Sequence, residues 1–392
     1  MPPSSFSIMS ANVRLCRAVG LWYDLTHWRF TWQPIFVILS QVFWFMIPTV
    51  AFMIQREKIF AVQLKPILEI VEIGMIVFRT TAHWYGRRSL TNCFDDLHKA
   101  FEQFSVSAHE DIRRTLRHLQ RSASYLVKIY VFVVLFQALS YGPLATFITI
   151  VRYCRSDETL VLTSPVLEAD YVFFDHLSSF SAWLPSSLIS VSVQFMMVIS
   201  ITASECLLWN LLHHVSCLFR IVRYEISRLD GSSDRKTFRK QFVEIISAHN
   251  TAYRCARRLE SILSPVVGML YCSCIFQTCY VLFVTSVVDD PMLMASMIFI
   301  LQYTTFLIFS FSMLGTELMG ESALVSEAIY TSTRWYEWSV DKRRLVLFVQ
   351  MRADRITGIT ASKFFYLTRP TFGTAMKTAF SFFTIIRSLF EN

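Results

Sequence analysis

Residues 34–54 read PIFVILSQVFWFMIPTVAFMI, a stretch without a charged side chain. A helix needs about 20 consecutive apolar residues to cross the hydrocarbon core of a bilayer, so this stretch is long enough to span a membrane. The whole chain has the same character, because 54% of its 392 residues are hydrophobic and only 17% are charged. Soluble proteins carry about 25% charged residues. The sequence therefore predicts a helical protein embedded in a membrane.

Six further segments are long and apolar enough to be spans, which predicts an all-α polytopic membrane protein with seven transmembrane helices. The spans are predicted at about residues 34–54, 66–84, 126–151, 183–209, 261–287, 292–316 and 369–390. The second carries Glu69, Glu72 and Arg79, and the last contains Lys377 and Arg387. Ionisable side chains are unfavourable in lipid, so they mark a functional site or lie near helix ends. These two spans need protein neighbours or water to be stable in a membrane.

The basic residues between the spans predict the direction of the chain. The N-terminal segment and every second loop hold 27 Lys and Arg residues, whereas the alternate loops hold five. Loops rich in Lys and Arg stay in the cytoplasm, so the N-terminus is predicted to be cytoplasmic. With an odd number of spans, the C-terminus is then extracellular. A G-protein-coupled receptor runs in the opposite direction, which argues against coupling to a G protein.

The predicted cytoplasmic loop at 210–260 carries a helical pattern of its own. Apolar residues recur at helical spacing from Ser204 to Leu229, and a turn at 230–233 follows. Asp234 is a suitable N-cap for a returning basic helix. The pattern predicts a packed helical anchor region in the cytoplasm, against the alternative of a solvated basic loop. The apolar stripe of the second helix comprises Phe238, Phe242, Ile245 and Ile246.

The outer loop at 152–182 is predicted to act as a lid. It mixes acidic residues with aromatic ones such as Tyr171, Phe173 and Phe174. Long loops without a regular pattern are often binding elements, and aromatic side chains there should fold back onto the bundle to avoid water.

The chain as a whole divides into six predicted parts. They are a cytoplasmic segment at 1–33, spans one to four at 34–209, a cytoplasmic helical loop at 210–260, spans five and six at 261–316, cytoplasmic anchor helices at 317–368 and the last span at 369–392.

Hydroxyl and aromatic side chains meet at the outer ends of the spans. Tyr141 lies in the third span, and Trp183 and Ser187 lie in the fourth. Gly142-Pro143 would break the third helix and widen the bundle there. A mostly apolar cavity with a few hydroxyls suits a small, neutral, lipophilic ligand, and nothing in this set would hold a charged one. The same residues are also compatible with plain helix packing.

Other function classes leave no motif in the sequence. The chain has no Walker loop, no dinucleotide-binding fingerprint, no His-Glu-x-x-His and no nucleophile elbow, so neither an enzyme activity nor a cofactor is predicted. Its net charge of +8 does not indicate binding to nucleic acid, because the basic residues are spread between apolar runs. Cys272, Cys274 and Cys279 lack accompanying His or acidic residues, which favours core packing over a metal site.

The C-terminal quarter, about residues 315–390, carries a series of short motifs. They are Gly315, Glu317, Gly320-Glu321-Ser322, Leu324, Ala328-Ile329-Tyr330, Trp335, Arg343-Arg344-Leu345, Met351-Arg352-Ala353, Thr360-Ala361, Phe364-Phe365, Leu367-Thr368, Thr371-Phe372-Gly373, Lys377 and Phe380-Ser381-Phe382-Phe383-Thr384. This series resembles the C-terminal signature of insect odorant receptors, and Val19-Gly20-Leu21-Trp22 near the N-terminus is also similar. Phe380 and Phe382 stand where the family usually has tyrosines, and Asp354 follows Ala353 where the family often has Gln. Two hydroxyls are therefore missing from the last span.

The resemblance implies a ligand-specific (tuning) subunit in the plasma membrane of sensory neurons. Such subunits assemble with the shared coreceptor, Orco, into a heterotetrameric non-selective cation channel. The ligand is then a small volatile, and the aromatic side chains suit an aromatic or heterocyclic one. The pocket implied by the family lies under the loop between spans three and four, at Ile73, Val77, Tyr141, Leu144, Phe174, Trp183, Ser187, Val191 and Ile300.

The last helix lines the pore in the family. The resemblance assigns its apolar gate to Ile385 and Leu389, with Ser388 beside them, and apolar rings close a pore by excluding water. Subunit contacts would come from residues 210–260 and 317–365. Two alternatives remain open at this point. A gustatory receptor has the same topology, and a secondary transporter would show internal inverted repeats, which the sequence lacks.

Overall fold

The computed structural model describes residues 9–22, 32–55, 60–105, 110–155, 160–289, 291–331 and 334–390. Helices dominate these ranges. They are α1 (Ser10–Ala18), α2 (Gln33–Gln41), α3 (Ile47–Gln55), α4 (Phe60–Ser105), α5 (Glu110–Tyr141), α6 (Pro143–Cys154), α7 (Phe180–Ser227), α8 (Arg235–Val287), α9 (Pro291–Thr331), α10 (Val340–Ala353) and α11 (Arg369–Phe390). A π-helical turn at Val42–Met46 joins α2 to α3, and a 3-10 turn occupies Trp335–Glu337. The strands β1 (Thr360–Ala361) and β2 (Phe365–Tyr366) pair antiparallel.

Among the described residues, five helical stretches are long and apolar enough to cross a membrane. They are Gln33–Ile54, Arg114–Cys154, Phe180–Ser227, Arg235–Val287 and Leu293–Thr331. Each contains one of the predicted spans. The two predicted spans outside this set are the charged ones, at 66–84 and 369–390. They correspond to α4, which is far longer than predicted at 46 residues, and to α11.

The lower part of the bundle is a packed helical core that we refer to as the base. It is formed by residues 204–227, 235–260 and 317–331 of α7, α8 and α9, together with α10. The predicted apolar residues of the first stretch are all buried; they are Leu207, Leu211, Leu218, Val222 and Ile226. Phe238, Phe242 and Ile245 are buried as well. The Asp234 carboxylate caps α8 by accepting a hydrogen bond from the backbone N–H of Lys236 at 3.3 Å, as the sequence predicted.

The chain breaks between α5 and α6 at Gly142, where the sequence predicted a break. Proline has no N–H to donate and is favoured at the start of a helix, so Pro143 begins α6. The backbone N–H of Thr146 donates to the Gly142 carbonyl at 3.0 Å, which closes the first turn. A Cβ atom at Gly142 would lie 2.3 Å from Oε1 of Gln194. The break therefore brings α5 and α7 into close contact.

Residues 160–179 form an irregular segment across the upper end of the bundle, opposite the base. The backbone N–H of Asp170 donates to the Pro48 carbonyl at 3.0 Å, and the Tyr171 hydroxyl donates to the Trp44 carbonyl at 3.3 Å. Tyr171 thus folds back as predicted, but Phe173 is 98% exposed, so the expectation was wrong for this residue. Its side chain lies in the turn at Val172–Phe173. Asp157 and Glu158, two of the acidic residues in the predicted outer loop, lie outside the described residues.

Helix α11 is attached to the bundle through the residues that precede it. The Leu367 N–H donates to the Ile359 carbonyl at 2.8 Å beside the β1–β2 hairpin. The carbonyl of Leu367 in turn lies against α9, where a Cβ at Gly315 would be only 2.3 Å from it. From this junction α11 rises to the upper end, where Phe383 and Ile386 pack against an apolar cluster of α4, α8 and α9. Helix α1 packs near the middle of α7, where Asn12 donates to the Cys206 carbonyl at 3.2 Å.

Candidate ligand-binding site

A mostly apolar cavity of about 120 Å³ lies in the upper half of the bundle, between α4, α5, α7 and α9. Its walls are formed by Phe45, Glu69, Glu72, Ile73, Ile76, Val134, Gln137, Ala138, Tyr141, Val166, Leu167, Gln194, Met197, Val198, Ile201, Ile300 and Tyr303. Val166 and Leu167 come from the 160–179 segment, which therefore closes the cavity from above. Apolar cavities with a few polar groups are the usual form of a small-molecule site.

Three of the predicted pocket residues line this cavity, namely Ile73, Tyr141 and Ile300. Two more stand directly behind its wall, because Val77 and Val191 pack against the cluster that contains Phe45, Ile73 and Val166. Five of the nine predicted residues thus lie in or directly behind the wall of this cavity.

The other four predicted residues occupy different positions. Ser187 lies in a small adjoining space beneath the 160–179 segment. Trp183 is fully buried and donates from Nε1 to the Thr163 carbonyl at 2.9 Å, so it holds that segment down. Phe174 is exposed and stacks on Tyr171, with ring centroids 5.2 Å apart. Leu144 is exposed in the first turn of α6.

Several wall residues were not identified from the sequence. Apolar residues such as Phe45 and Met197 carry no signal that separates a cavity wall from ordinary packing. Gln137 and Gln194 are different, because an amide inside an apolar span is unusual and marks a candidate site. The amide nitrogens donate to the carbonyls of Phe299 at 3.1 Å and Ala138 at 3.2 Å, respectively.

A cluster of charged and hydroxyl groups covers the cavity near its upper edge. Lys65 Nζ lies 3.1 Å from Oε1 of Glu168 and 3.4 Å from Oε1 of Glu69. The Tyr141 hydroxyl donates to Glu69 at 2.9 Å, and the backbone N–H of Glu168 donates to the same carboxylate at 3.0 Å. These contacts tie the 160–179 segment to α4 and satisfy the buried Glu69.

A second charged cluster lies below the cavity. Arg79 forms an ion pair and hydrogen bond with Glu205, and its Nη2 atom is 3.5 Å from Oε1 of Glu72. The Tyr130 hydroxyl donates to Glu205, and Gln277 Nε2 donates to Glu72 at 3.0 Å. The ionisable residues of the second span thus have partners within the protein, as their stability in a membrane requires.

Because of these two clusters, the cavity wall contains more polar groups than the sequence indicated. The sequence indicated hydroxyls only, but the structure adds the carboxylates of Glu69 and Glu72. Both are engaged by a neighbouring cation, so they enter the wall as part of ion pairs and not as isolated charges. Lys65 and Arg79 lie on the same helix as these carboxylates, one turn before Glu69 and two turns after Glu72.

His176 contacts other residues of the 160–179 segment. Nε2 of His176 and the hydroxyl of Ser164 are 2.8 Å apart and share a hydrogen bond. The ring stands edge-on to Tyr171, with centroids 4.9 Å apart. Burial lowers the pKa of His176, and the nearby carboxylates of Asp175, Asp170 and Glu168 oppose this effect.

The predicted gate residues lie on an exposed face of α11. Ile385 is 55% exposed and Leu389 is 72% exposed, and Ser388 is exposed beside them. Phe383 and Ile386 face the bundle instead, where they pack on the same cluster as Ile300. In the part of the chain that the structure describes, no group of three or more His, Cys, Asp and Glu side chains could hold a metal ion.

Comparison with known proteins identifies the family. The family described as 7tm Odorant receptor matches residues 69–380. Odorant receptor 9a of Drosophila melanogaster is 22% identical over 209 residues, which are 53% of this chain and 52% of that protein. Odorant receptor 10 of Aedes albopictus is 23% identical over 164 residues, which are 41% of this chain and 43% of that protein. The chain thus spans about half the length of the curated relatives it matches.

Solved structures have the same fold. The insect olfactory receptor OR5 from Machilis hrabei in complex with eugenol is similar with a TM-score of 0.78, at 16% identity and over 97% of each chain. A second structure of that receptor gives a TM-score of 0.71, at 17% identity and over 96% of each chain. The prediction of a seven-transmembrane helical fold is therefore confirmed, with α4 and α11 as the charged spans. The match to residues 69–380 shows that the chain belongs to the insect odorant receptor family.

Proposed function

We propose that this chain is the ligand-binding subunit of an odorant-gated, non-selective cation channel, which it forms as a heterotetramer with the Orco coreceptor in the plasma membrane of sensory neurons. The proposal rests on one structural observation. Ile300 lines the cavity and also belongs to the apolar cluster that packs on Phe383 and Ile386 of α11. A ligand in the cavity would therefore touch a residue that supports the proposed pore helix.

The pore is proposed to run along the exposed face of α11. Ile385 and Leu389 would form its apolar gate, which excludes water until the helices separate. In a single chain more than half of each of these apolar side chains is exposed, and assembly around a common axis would cover them. The excess of Lys and Arg at the base side supports a cytoplasmic base, a cytoplasmic N-terminus and an extracellular C-terminus.

The ligand is proposed to be a small neutral volatile. An apolar cavity of about 150 Å³ is enough to bind benzene, and the cavity of about 120 Å³ found here is of similar size. The aromatic side chains of Phe45, Tyr141 and Tyr303 suit an aromatic or heterocyclic ring. Eugenol in the solved OR5 receptor supports a small-molecule ligand for this fold.

The test is to express the chain together with the coreceptor and to record membrane current during application of volatile panels. We expect a cation current that the coreceptor alone does not give with the same compounds. The variant Ile300→Ala should shift the volatile concentration that evokes a half-maximal current. The control Leu144→Ala, at an exposed position, should not. Saturable uptake of a solute without current would favour a transporter. Responses confined to non-volatile tastants would favour a gustatory receptor.

A further inference from the structure

The amide oxygen of Gln194 is an unpaired hydrogen-bond acceptor in the wall of the cavity. The Nε2 atom of this side chain donates to the Ala138 carbonyl at 3.2 Å, which identifies Oε1 as the free atom. No donor among the described residues reaches Oε1, although the residue is only 4% exposed. Buried polar groups are nearly always paired, so an unpaired one needs an explanation.

The backbone next to Gln194 preserves room around this oxygen. Gly142 lies at the break between α5 and α6, and a Cβ atom there would come within 2.3 Å of Oε1. Any other residue would therefore push the amide aside or cover it. The glycine therefore lets the Gln194 amide lie close to the α5–α6 break.

The remaining polar groups of the wall supply further acceptors and few donors. Glu69 and Glu168 share the single cation Lys65. Glu72 and Glu205 share the single cation Arg79.

The neighbouring hydroxyl groups are already engaged as donors. The Tyr141 hydroxyl donates to Glu69, and that of Tyr130 donates to Glu205. The wall thus has an excess of acceptors over available donors.

We infer that the ligand of this receptor carries a hydrogen-bond donor, an O–H or N–H group on a small apolar body, which it donates to Oε1 of Gln194. This inference rests on the proposed function and restricts its ligand class to compounds with a hydrogen-bond donor. A ligand whose only polar group is an acceptor, such as an ether, would leave Gln194 unpaired and would face the carboxylates of Glu69 and Glu72. Donor ligands are therefore preferred over acceptor ligands of equal shape.

Indole and benzofuran give a direct test, because they have the same bicyclic shape but carry N–H and ring oxygen, respectively. In cells that express the chain with the coreceptor, we expect indole to act at about tenfold lower concentration than benzofuran. Hydrophobic burial alone predicts the reverse order, since benzofuran is the less polar compound. N-methylindole, which lacks the donor, should behave like benzofuran.

The variant Gln194→Met keeps a side chain of similar length and removes the amide. We expect the response to indole to fall to the level of benzofuran, while the response to benzofuran is retained and shows that the protein is folded. The matched control is Ile73→Val, on the apolar wall of the same cavity, which should shift both compounds equally.

The inference and the proposed function fail in different ways. Equal potency of the two compounds, or a preference for indole that persists in Gln194→Met, would overturn the inference and leave the channel intact. If no volatile evokes a current, the two compounds are compared by how much each raises the melting temperature of the purified complex. A complex that is stabilised equally by both, or by neither, overturns the inference.

Discussion

Arg79 on α4 and Glu205 on α7 form an ion pair in the middle of the bundle, where both side chains are buried. Glu72 lies on the other side of the guanidinium, and the hydroxyl of Tyr130 donates to Glu205. This arrangement explains how the charged second span can lie in a membrane. Its charges face protein, and each is held by a partner from another part of the sequence.

Removal of Arg79 should destabilise the receptor strongly. Arg79→Met would leave Glu205 and Glu72 buried without a cation, and breaking a buried pair costs about 3–5 kcal/mol. We expect a lower melting temperature of the purified protein and little protein at the cell surface. The control is Arg117→Met, because Arg117 pairs with Glu110 where both side chains are exposed, and such pairs contribute about 0–1 kcal/mol. Equal effects of the two variants would contradict the prediction.

Gly315 should tolerate no side chain. Its missing Cβ leaves space for the carbonyl of Leu367, just before α11, and overpacking of this kind costs about 1–3 kcal/mol. We expect Gly315→Ala to lower the melting temperature and the odorant-evoked current per receptor at the surface. Gly320→Ala is the matched control on the same helix, because nothing lies within 4 Å of a Cβ there. A silent Gly315→Ala would show that α11 is not seated through this contact.

Acidification should loosen the 160–179 segment through His176. Burial lowers the pKa of this imidazole in the folded protein, so below its ordinary pKa of about 6.5 the unfolded segment takes up a proton that the folded one does not. The stabilisation by His176 is therefore present at neutral pH and decreases as the pH falls. Melting temperatures between about pH 7.5 and 5.5 should drop less for His176→Gln than for the parent. The exposed His118→Gln should keep the full pH dependence.

A polar side chain at the proposed gate should open the channel without odorant. Leu389→Asn would replace an apolar ring member, and water would then be less readily excluded from the pore. We expect a standing cation current in cells that co-express the coreceptor, at unchanged surface expression. Leu389→Ile keeps an apolar side chain of the same volume and should remain closed. A standing current that is equal in both variants would count against Leu389 as part of the gate.

The spans and the helical stripes of the base could be predicted because both signals are local. Phe238, Phe242 and Ile245 follow one another at helical spacing, so their common burial can be read from a few turns of sequence. The break at Gly142-Pro143 is local for the same reason. These features depend on neighbours along the chain and not on distant partners.

The pocket could be predicted only in part, because its wall depends on how each helix is rotated about its axis. Ile73, Tyr141 and Ile300 face the cavity, but Leu144 turns outward after the break and Trp183 instead anchors the 160–179 segment. The contacts of the charged clusters between different helices were also beyond local reasoning. The two residues of the Arg79–Glu205 pair are 126 positions apart, and periodicity carries no information about such a partner.

Helix α8 runs without interruption for 53 residues, or about 80 Å, from the base to the upper end of the bundle. Pro265 lies inside this helix, and no loop residue separates the two halves. Chimeric receptors that combine the pocket of one relative with the base of another must therefore be joined inside a helix, at equal length. One inserted residue would rotate everything beyond the junction by about 100°, so a functional exchange requires the two parents to share the same helical phase.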